Sequence, residues 1–180
     1  NCWKLYFWFG LYSIRNTGIL MTVTYKTIAT VTVPSGGVAS IDFSSIPSTY
    51  SDLCLVTSLR GSTNNAGNTL GLYIKINNAT TNLSWRSLGD SNGTTFSQSN
   101  TTNYTRTSIN DTGSTANVFS NASFYFPGYA SSNYKPFSID SAVLTNGTSP
   151  VDVEMVGFLW SSTSAINQIT LTPESPLFAQ

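Results

Sequence analysis

The 180-residue sequence contains no histidine, and that one absence removes much chemistry. Histidine is the commonest general base and metal ligand, and it completes the Ser-His and Cys-His nucleophile pairs. Only two cysteines occur, Cys2 and Cys54, so a zinc site built on thiolates and imidazoles has too few ligands. Charge is scarce as well: 9% of residues are Asp, Glu, Lys or Arg, and the net charge is zero. No basic run exists to meet a nucleic acid or an anionic membrane surface. No stretch holds a 3.6-residue apolar period, so no substantial helix is expected.

Ser, Thr, Asn and Gly fill the space that charge leaves. Neutral hydroxyls and amides suit short strands and polar loops, whereas solvated helices usually carry Glu and Lys pairs. Apolar residues make up 40% of the chain, enough for a core without metal or disulfide support. Cys54 lies in the apolar run Leu53-Cys54-Leu55-Val56 and reads as a buried free thiol. No cofactor or metal is expected.

From Met21 onward the pattern is that of strands. Tyr25–Val33 is β-branched, with Tyr25, Ala29, Val31 and Val33 on one face. Pro34-Ser35-Gly36-Gly37 is a turn, and Val38–Phe43 reads as its hairpin partner. Leu53–Arg60 points Leu53, Leu55 and Leu59 inward. Leu70, Leu72, Ile74 and Ile76 alternate with Gly71, Tyr73 and Lys75, the clearest half-buried strand. Asn77–Gly113 is polar, with apolar residues only at scattered points, and predicts long mobile loops with short strands around 85–88, 94–98 and 105–109. Val118–Phe126, Phe137–Thr145, Val151–Trp160 and Ile166–Thr172 follow, the middle two joined by a turn at Asn146–Pro150. Eight to ten short strands predict an all-β, antiparallel, jelly-roll-like sandwich spanning residues 21–180 as one domain. Asn1–Leu20 is dense in Trp, Tyr, Phe and Leu and reads as a leader foreign to that domain.

Three features could carry chemistry. Asp152-Val153-Glu154 places two carboxylates at i and i+2, about 7 Å apart on one strand face, the order of spacing that a glycosidase acid and nucleophile need. Sandwich glycosidases of the laminarinase type carry a further Glu two residues earlier, where this chain has Pro150. The pair therefore reads as a solvent-facing stripe. Asp90-Ser91-Asn92-Gly93 and Asn110-Asp111-Thr112-Gly113 each offer one carboxylate, too few for calcium, and read as Asx turns. The candidate ligand-binding residues are Trp85, Arg86, Tyr104, Tyr129 and Tyr134. Aromatics in polar surroundings either stack on sugar faces or plug the core and subunit contacts, and composition leaves both open. Asn-x-Ser/Thr sequons occur at Asn78, Asn82, Asn92, Asn100, Asn103, Asn110, Asn121 and Asn146, a number that abundant Ser and Thr produce by chance.

Several phrases resemble virion proteins of marine tailed bacteriophages, cyanophage-like ones in particular. They are Thr27-Ile28-Ala29-Thr30-Val31-Thr32-Val33, the run Ala39-Ser40-Ile41-Asp42-Phe43-Ser44-Ser45-Ile46-Pro47-Ser48-Thr49-Tyr50-Ser51-Asp52-Leu53, then Tyr129-Ala130-Ser131-Ser132-Asn133-Tyr134-Lys135-Pro136-Phe137 and Ile169-Thr170-Leu171-Thr172-Pro173. The resemblance covers most of Met21–Gln180 in outline and rests on strand-and-turn phrases, with no catalytic motif. It implies a β-sandwich on the virion surface, as tail fibre, tail tip or capsid decoration. Its partners would be other virion proteins, copies of itself (a homo-oligomer such as a trimer) and host surface polysaccharide. It also implies a chain starting at Met21 and cut short by one strand at the C-terminus. The rival expectations are a secreted carbohydrate-binding module and, behind it, a glycosidase built on Asp152 and Glu154.

Overall fold

The computed structural model describes residues 6–8, 26–65, 69–101, 105–147, 152–174 and 176–179. Among them are eleven strands and no helix: β1 Tyr6–Trp8, β2 Ile41–Phe43, β3 Asp52–Leu59, β4 Thr69–Ile76, β5 Leu83–Ser91, β6 Thr94–Asn100, β7 Thr105–Asn110, β8 Ser120–Pro127, β9 Lys135–Val143, β10 Asp152–Trp160 and β11 Ile169–Pro173. They form two sheets, one of seven strands in the order β1-β3-β8-β9-β10-β5-β6 and one of four in the order β2-β11-β4-β7. Every pairing is antiparallel. The sheets pack face to face as a β-sandwich.

The period-2 alternation supplies the core. From the large sheet, Leu53, Leu55, Phe124, Phe126, Ile139 and Val156 point inward and are fully or almost fully buried. Leu72, Ile74, Ile76, Ile169 and Leu171 meet them from the small sheet, each at 0% exposure. Phe126, Phe137 and Phe158 stack in series across β8, β9 and β10, with ring centroids 4.8 and 4.9 Å apart. Each fully buried side chain of this size contributes roughly 1.5–3 kcal/mol of transfer free energy. Trp160 closes the row as a core residue, as its place at the end of a buried strand predicts.

Two buried cations hold loops to this core. Arg60 donates from Nη1 to the carbonyls of Thr115 and Val118, at 2.7 and 2.8 Å, and from Nη2 to that of Ser114 at 2.9 Å. Lys135 Nζ donates to the carbonyls of Ser131 and Asn133, and more weakly to Ser162. Burial lowers the pKa of both, and the Asp111 carboxylate partly offsets the effect at Arg60. Backbone carbonyls satisfy the charges that the interior would otherwise leave unpaired.

The N-terminal part departs from expectation. Residues 26–33 join no ladder. Ile28, Ala29 and Val31 pack at the margin of the core and Val33 is buried. β-branched residues favour a pleated, half-buried surface, and such a surface does not require a ladder partner. The Pro34–Gly37 turn forms, with Gly37 N–H donating to the Pro34 carbonyl at 3.0 Å, but it closes no hairpin. β2 pairs instead with β11, from far along the chain. Tyr6–Trp8, inside the stretch read as a leader, pairs with β3.

The polar middle departs more. The short strands expected around 85–88 and 94–98 are present but longer and less loop-bound than expected: β5 and β6 form an extended hairpin, closed at Asn92-Gly93, and the strand expected around 105–109 is β7. Both turn residues have positive φ, 54° and 79°, the signature of a two-residue type I′ turn. Asp90 Oδ1 accepts the Gly93 N–H at 2.8 Å. Periodicity shows β6 only as the short strand around 94–98 because it is an edge strand: its described side chains are exposed on both faces except for Phe96, so little apolar alternation marks it.

A groove at the overhang of the large sheet

A seven-stranded sheet cannot be covered by a four-stranded one. The small sheet ends at β7, which packs chiefly over β9. The inner face of β10, β5 and β6 therefore projects beyond it. The overhang and the β7 edge enclose an open groove of about 730 Å³, within the range of about 300–1,000 Å³ usual for small-ligand sites.

Strand register determines its lining. Trp85 (β5) lies opposite Asn100 (β6) and Phe158 (β10), and its ring meets the Phe158 ring at 6.5 Å and 51°. Gly89 lies opposite Phe96 and Glu154. A Cβ at Gly89 would come within 2.7 Å of Phe96 Cζ, and closer still to the Val153 carbonyl oxygen, so glycine lets the Phe96 ring lie against β5. Ser91 Oγ donates to Asp152 Oδ1 at 2.6 Å, and Thr107 Oγ1 donates to Glu154 Oε2 at 3.2 Å. Thr94, Gln98, Ser99, Asn100 and Ser108 complete the polar lining. On the same face Ser87 is only 4% exposed, between Gln98 and Val156 in register, and its hydroxyl has no hydrogen-bond partner.

Asp152 and Glu154 are thus not a solvent-facing stripe. They share the inner face with Val156, Phe158 and Trp160 and are half-buried, while Val153 and Met155 face solvent. Apolar residues on the outside and carboxylates on the inside invert the usual phase. The inversion is tolerated because β10 here extends past the small sheet, so its inner face lines a wet groove.

The five residues singled out from sequence do not form one site. Trp85 lines the groove, but Arg86, its neighbour along the strand, points to the opposite face and is exposed. Tyr129 is a correction: it is fully buried in the core, with its hydroxyl donating to the Pro47 carbonyl and its pKa raised by burial, and it cannot reach a ligand. Tyr134 is 56% exposed in the β8–β9 loop. Tyr104 lies outside the described residues. Phe96, Gln98 and Ser87 escaped sequence reading. The Asn-Gly pair after Asp90 was the signal that could have found them, since a two-residue hairpin turn places Phe96 across from Gly89.

Both Asx-turn readings fit the geometry. Asp111 accepts N–H groups from Asn65, Gly113 and Ser114. Among the described residues no cluster of three or more His, Cys, Asp or Glu is placed to hold a metal. Of the sequons, Asn110 is fully buried and inaccessible to a glycan.

The outer face of the large sheet carries a second feature. Leu88 (β5) and Met155 (β10) face each other across the ladder at 59% and 56% exposure, with Val153 two residues along at 54%. Further across this face a hollow of about 980 Å³ is lined by Arg86, Tyr125, Pro136 and Leu159 and reaches Trp85.

Cys54 carries a free thiol on this outer side and is half-buried, less enclosed than its apolar context predicts, because alternation turns Leu53 and Leu55 inward instead. Cys2, its possible disulfide partner, lies outside the described residues. Burial raises the Cys54 pKa, against a smaller lowering by Ser123. Its exchange with a chromogenic disulfide at pH 7, in a Cys2→Ser chain, should be at least roughly threefold slower than that of a small unhindered thiol. Timed reaction with a chromogenic disulfide checks this, and a rate equal to that of the free thiol contradicts it.

No helix among the described residues is long and apolar enough to cross a membrane. No protein-family model, curated protein or solved structure matches this chain.

Proposed function

We propose that the domain is a non-catalytic structural and adhesive component of a tailed-phage particle, displayed as tail fibre, tail tip or capsid decoration. The observation that supports assembly is the outer apolar stripe of Leu88, Val153 and Met155. Soluble monomers seldom leave large apolar side chains contiguous on a sheet face, and such patches mark contact surfaces. The resemblance of the strand-and-turn phrases to phage virion proteins supplies the setting. Copies held together by the stripe would present several weak sites at once and gain avidity at a host surface.

The contact is testable by substitution. Met155→Glu puts a charge into the middle of the stripe while leaving the buried face of β10 untouched. We expect the dissociation constant for self-association to rise at least about tenfold, or ~1.4 kcal/mol, with the thermal midpoint unchanged. Sedimentation equilibrium measures both chains. Association as tight as wild type removes the stripe from the proposal.

A secreted carbohydrate-binding module is the second reading, favoured by the composition of the groove. A glycosidase finds less support. Pro150 stands where the laminarinase pattern has its first Glu, and Asp152 and Glu154 are already engaged by Ser91 and Thr107.

A further inference from the structure

We propose that the groove between β7 and the β5–β6 hairpin binds an uncharged polysaccharide, with Trp85 as the stacking platform and Asp152, Glu154, Gln98 and Asn100 as partners for its hydroxyls. The inference rests on the adhesive half of the reading above and is independent of the outer stripe.

Three observations converge. First, the groove exists because the sheets differ in width, so it is built into the fold rather than left between loops. Second, its aromatic residues are partly open: Trp85 and Phe96 are half-buried, unlike the fully enclosed Phe124 and Phe126. An indole offers a flat apolar face that matches the C–H face of a pyranose ring. Third, its polar groups are hydroxyls, two amides and two carboxylates. A carboxylate accepts hydrogen bonds at two oxygens, an amide both donates and accepts, and sugar hydroxyls do both. Ser91 engages one oxygen of Asp152, and the Thr101 N–H engages Asn100 Oδ1, which holds both side chains in place.

The charge of the groove narrows the ligand class. Its described lining contains two carboxylates and no lysine or arginine. Arg86 is on the far side of the sheet. An anionic sugar, whether uronate, sialate or sulfate ester, would meet like charge with no lysine or arginine in that described lining to neutralise it. Nucleic acid is disfavoured on the same ground. A neutral hexose polymer has the hydroxyls that carboxylates bind and none of the charge that they repel. The groove is open along its length, so an internal stretch of chain could lie in it.

The test is affinity electrophoresis of the full chain through native gels containing soluble polymers. The neutral panel is a β-1,3-glucan, a galactomannan and an arabinogalactan stripped of its uronic acids. The anionic panel is alginate and dextran sulfate. We expect at least one neutral polymer to retard the protein and neither anionic polymer to do so. For the retarding polymer, Trp85→Ala should weaken binding at least about tenfold, as truncation of a central aromatic anchor does. Trp85→Phe should retain most of it, and Arg86→Ala, on the opposite face, should leave it unchanged. Should Trp85→Ala fail to fold by circular dichroism, Glu154→Gln carries the test and should weaken binding at least threefold at constant shape.

Three results overturn the inference: no retardation by any neutral polymer, retardation by the anionic polymers alone, or wild-type retardation by a folded Trp85→Ala. New reducing ends released from a retarding polymer also overturn it, by making the groove hydrolytic. Self-association is read separately, so the two proposals fail separately. An oligomer that binds no neutral polymer loses the groove alone, and a monomer that binds one loses the assembly alone.

Discussion

Replacing Phe137 with alanine should destabilise the protein by ~3–5 kcal/mol, the usual cost of a phenylalanine removed from a packed core. Phe137 is the middle ring of three, stacked on Phe126 on one side and on Phe158 on the other. It is 3% exposed. Truncation deletes both stacking contacts and leaves a void whose walls belong to three different strands, β8, β9 and β10. Those strands are fixed by long ladders, so they cannot move in to fill it. For a chain of this size the thermal midpoint should fall by roughly 6–20 °C. Denaturant unfolding of wild type and variant measures the difference, and a loss below 1 kcal/mol would mean that the stack does not organise the core.

Arg60→Met should cost a comparable ~3–5 kcal/mol, by another mechanism. Methionine preserves most of the stem volume, so packing is not what the substitution removes. The guanidinium satisfies the carbonyls of Ser114, Thr115 and Val118, and no other single side chain does so for all three. Removing it takes a donor from all three, and the Thr115 carbonyl keeps the Val118 N–H at 3.3 Å. It also leaves Asp111, at 0% exposure, without the positive charge that offsets its own. The 111–118 segment joins β7 to β8, and so one sheet to the other. Its loosening should appear as faster amide hydrogen exchange at Ser114 and Val118 before the strands exchange. Exchange in that segment as slow as in wild type would contradict the assignment.

The two sheets differ in how far they could be read from the sequence. β3, β4 and β8 are bounded by turn residues, and the expected inward residues Leu53, Leu55, Leu59, Leu70, Leu72, Ile74, Ile76, Ala122, Phe124 and Phe126 are buried, whereas Val118, expected on the same face as Ala122, precedes β8 and is half-buried. The β9–β10 hairpin follows from its short polar connection. Pairing between distant segments left no local trace: β2 finds β11 more than a hundred residues away, and nothing in Ile41-Asp42-Phe43 names its partner. β6 was legible only as a short strand around 94–98, because an exposed edge strand has no face to bury. The groove was hidden for a related reason. Alternation tells which residues share a face, but not which face a second sheet will cover. Asp152 and Glu154 share a face with Phe158 and Trp160, and only the width of the small sheet decides that they are wet while those are dry. Tyr129 shows the opposite error, since a tyrosine in a Gly-Tyr-Ala-Ser-Ser-Asn turn looks like surface yet plugs the core through its hydrogen bond to Pro47.

The fold therefore leaves two faces whose chemistry differs. The inner overhang is polar and aromatic and suits a hydroxyl-rich ligand. The outer stripe is apolar and suits protein. A particle component that holds its copies together and touches a surface needs one of each.

The central claim is that this domain works as an assembled copy among copies, and its mass in solution tests that most directly. Light scattering after size exclusion, on the full chain across a hundredfold range of concentration, should give a closed oligomer, a trimer or larger, that falls apart only at the dilute end. A constant monomer mass at every concentration would contradict the account.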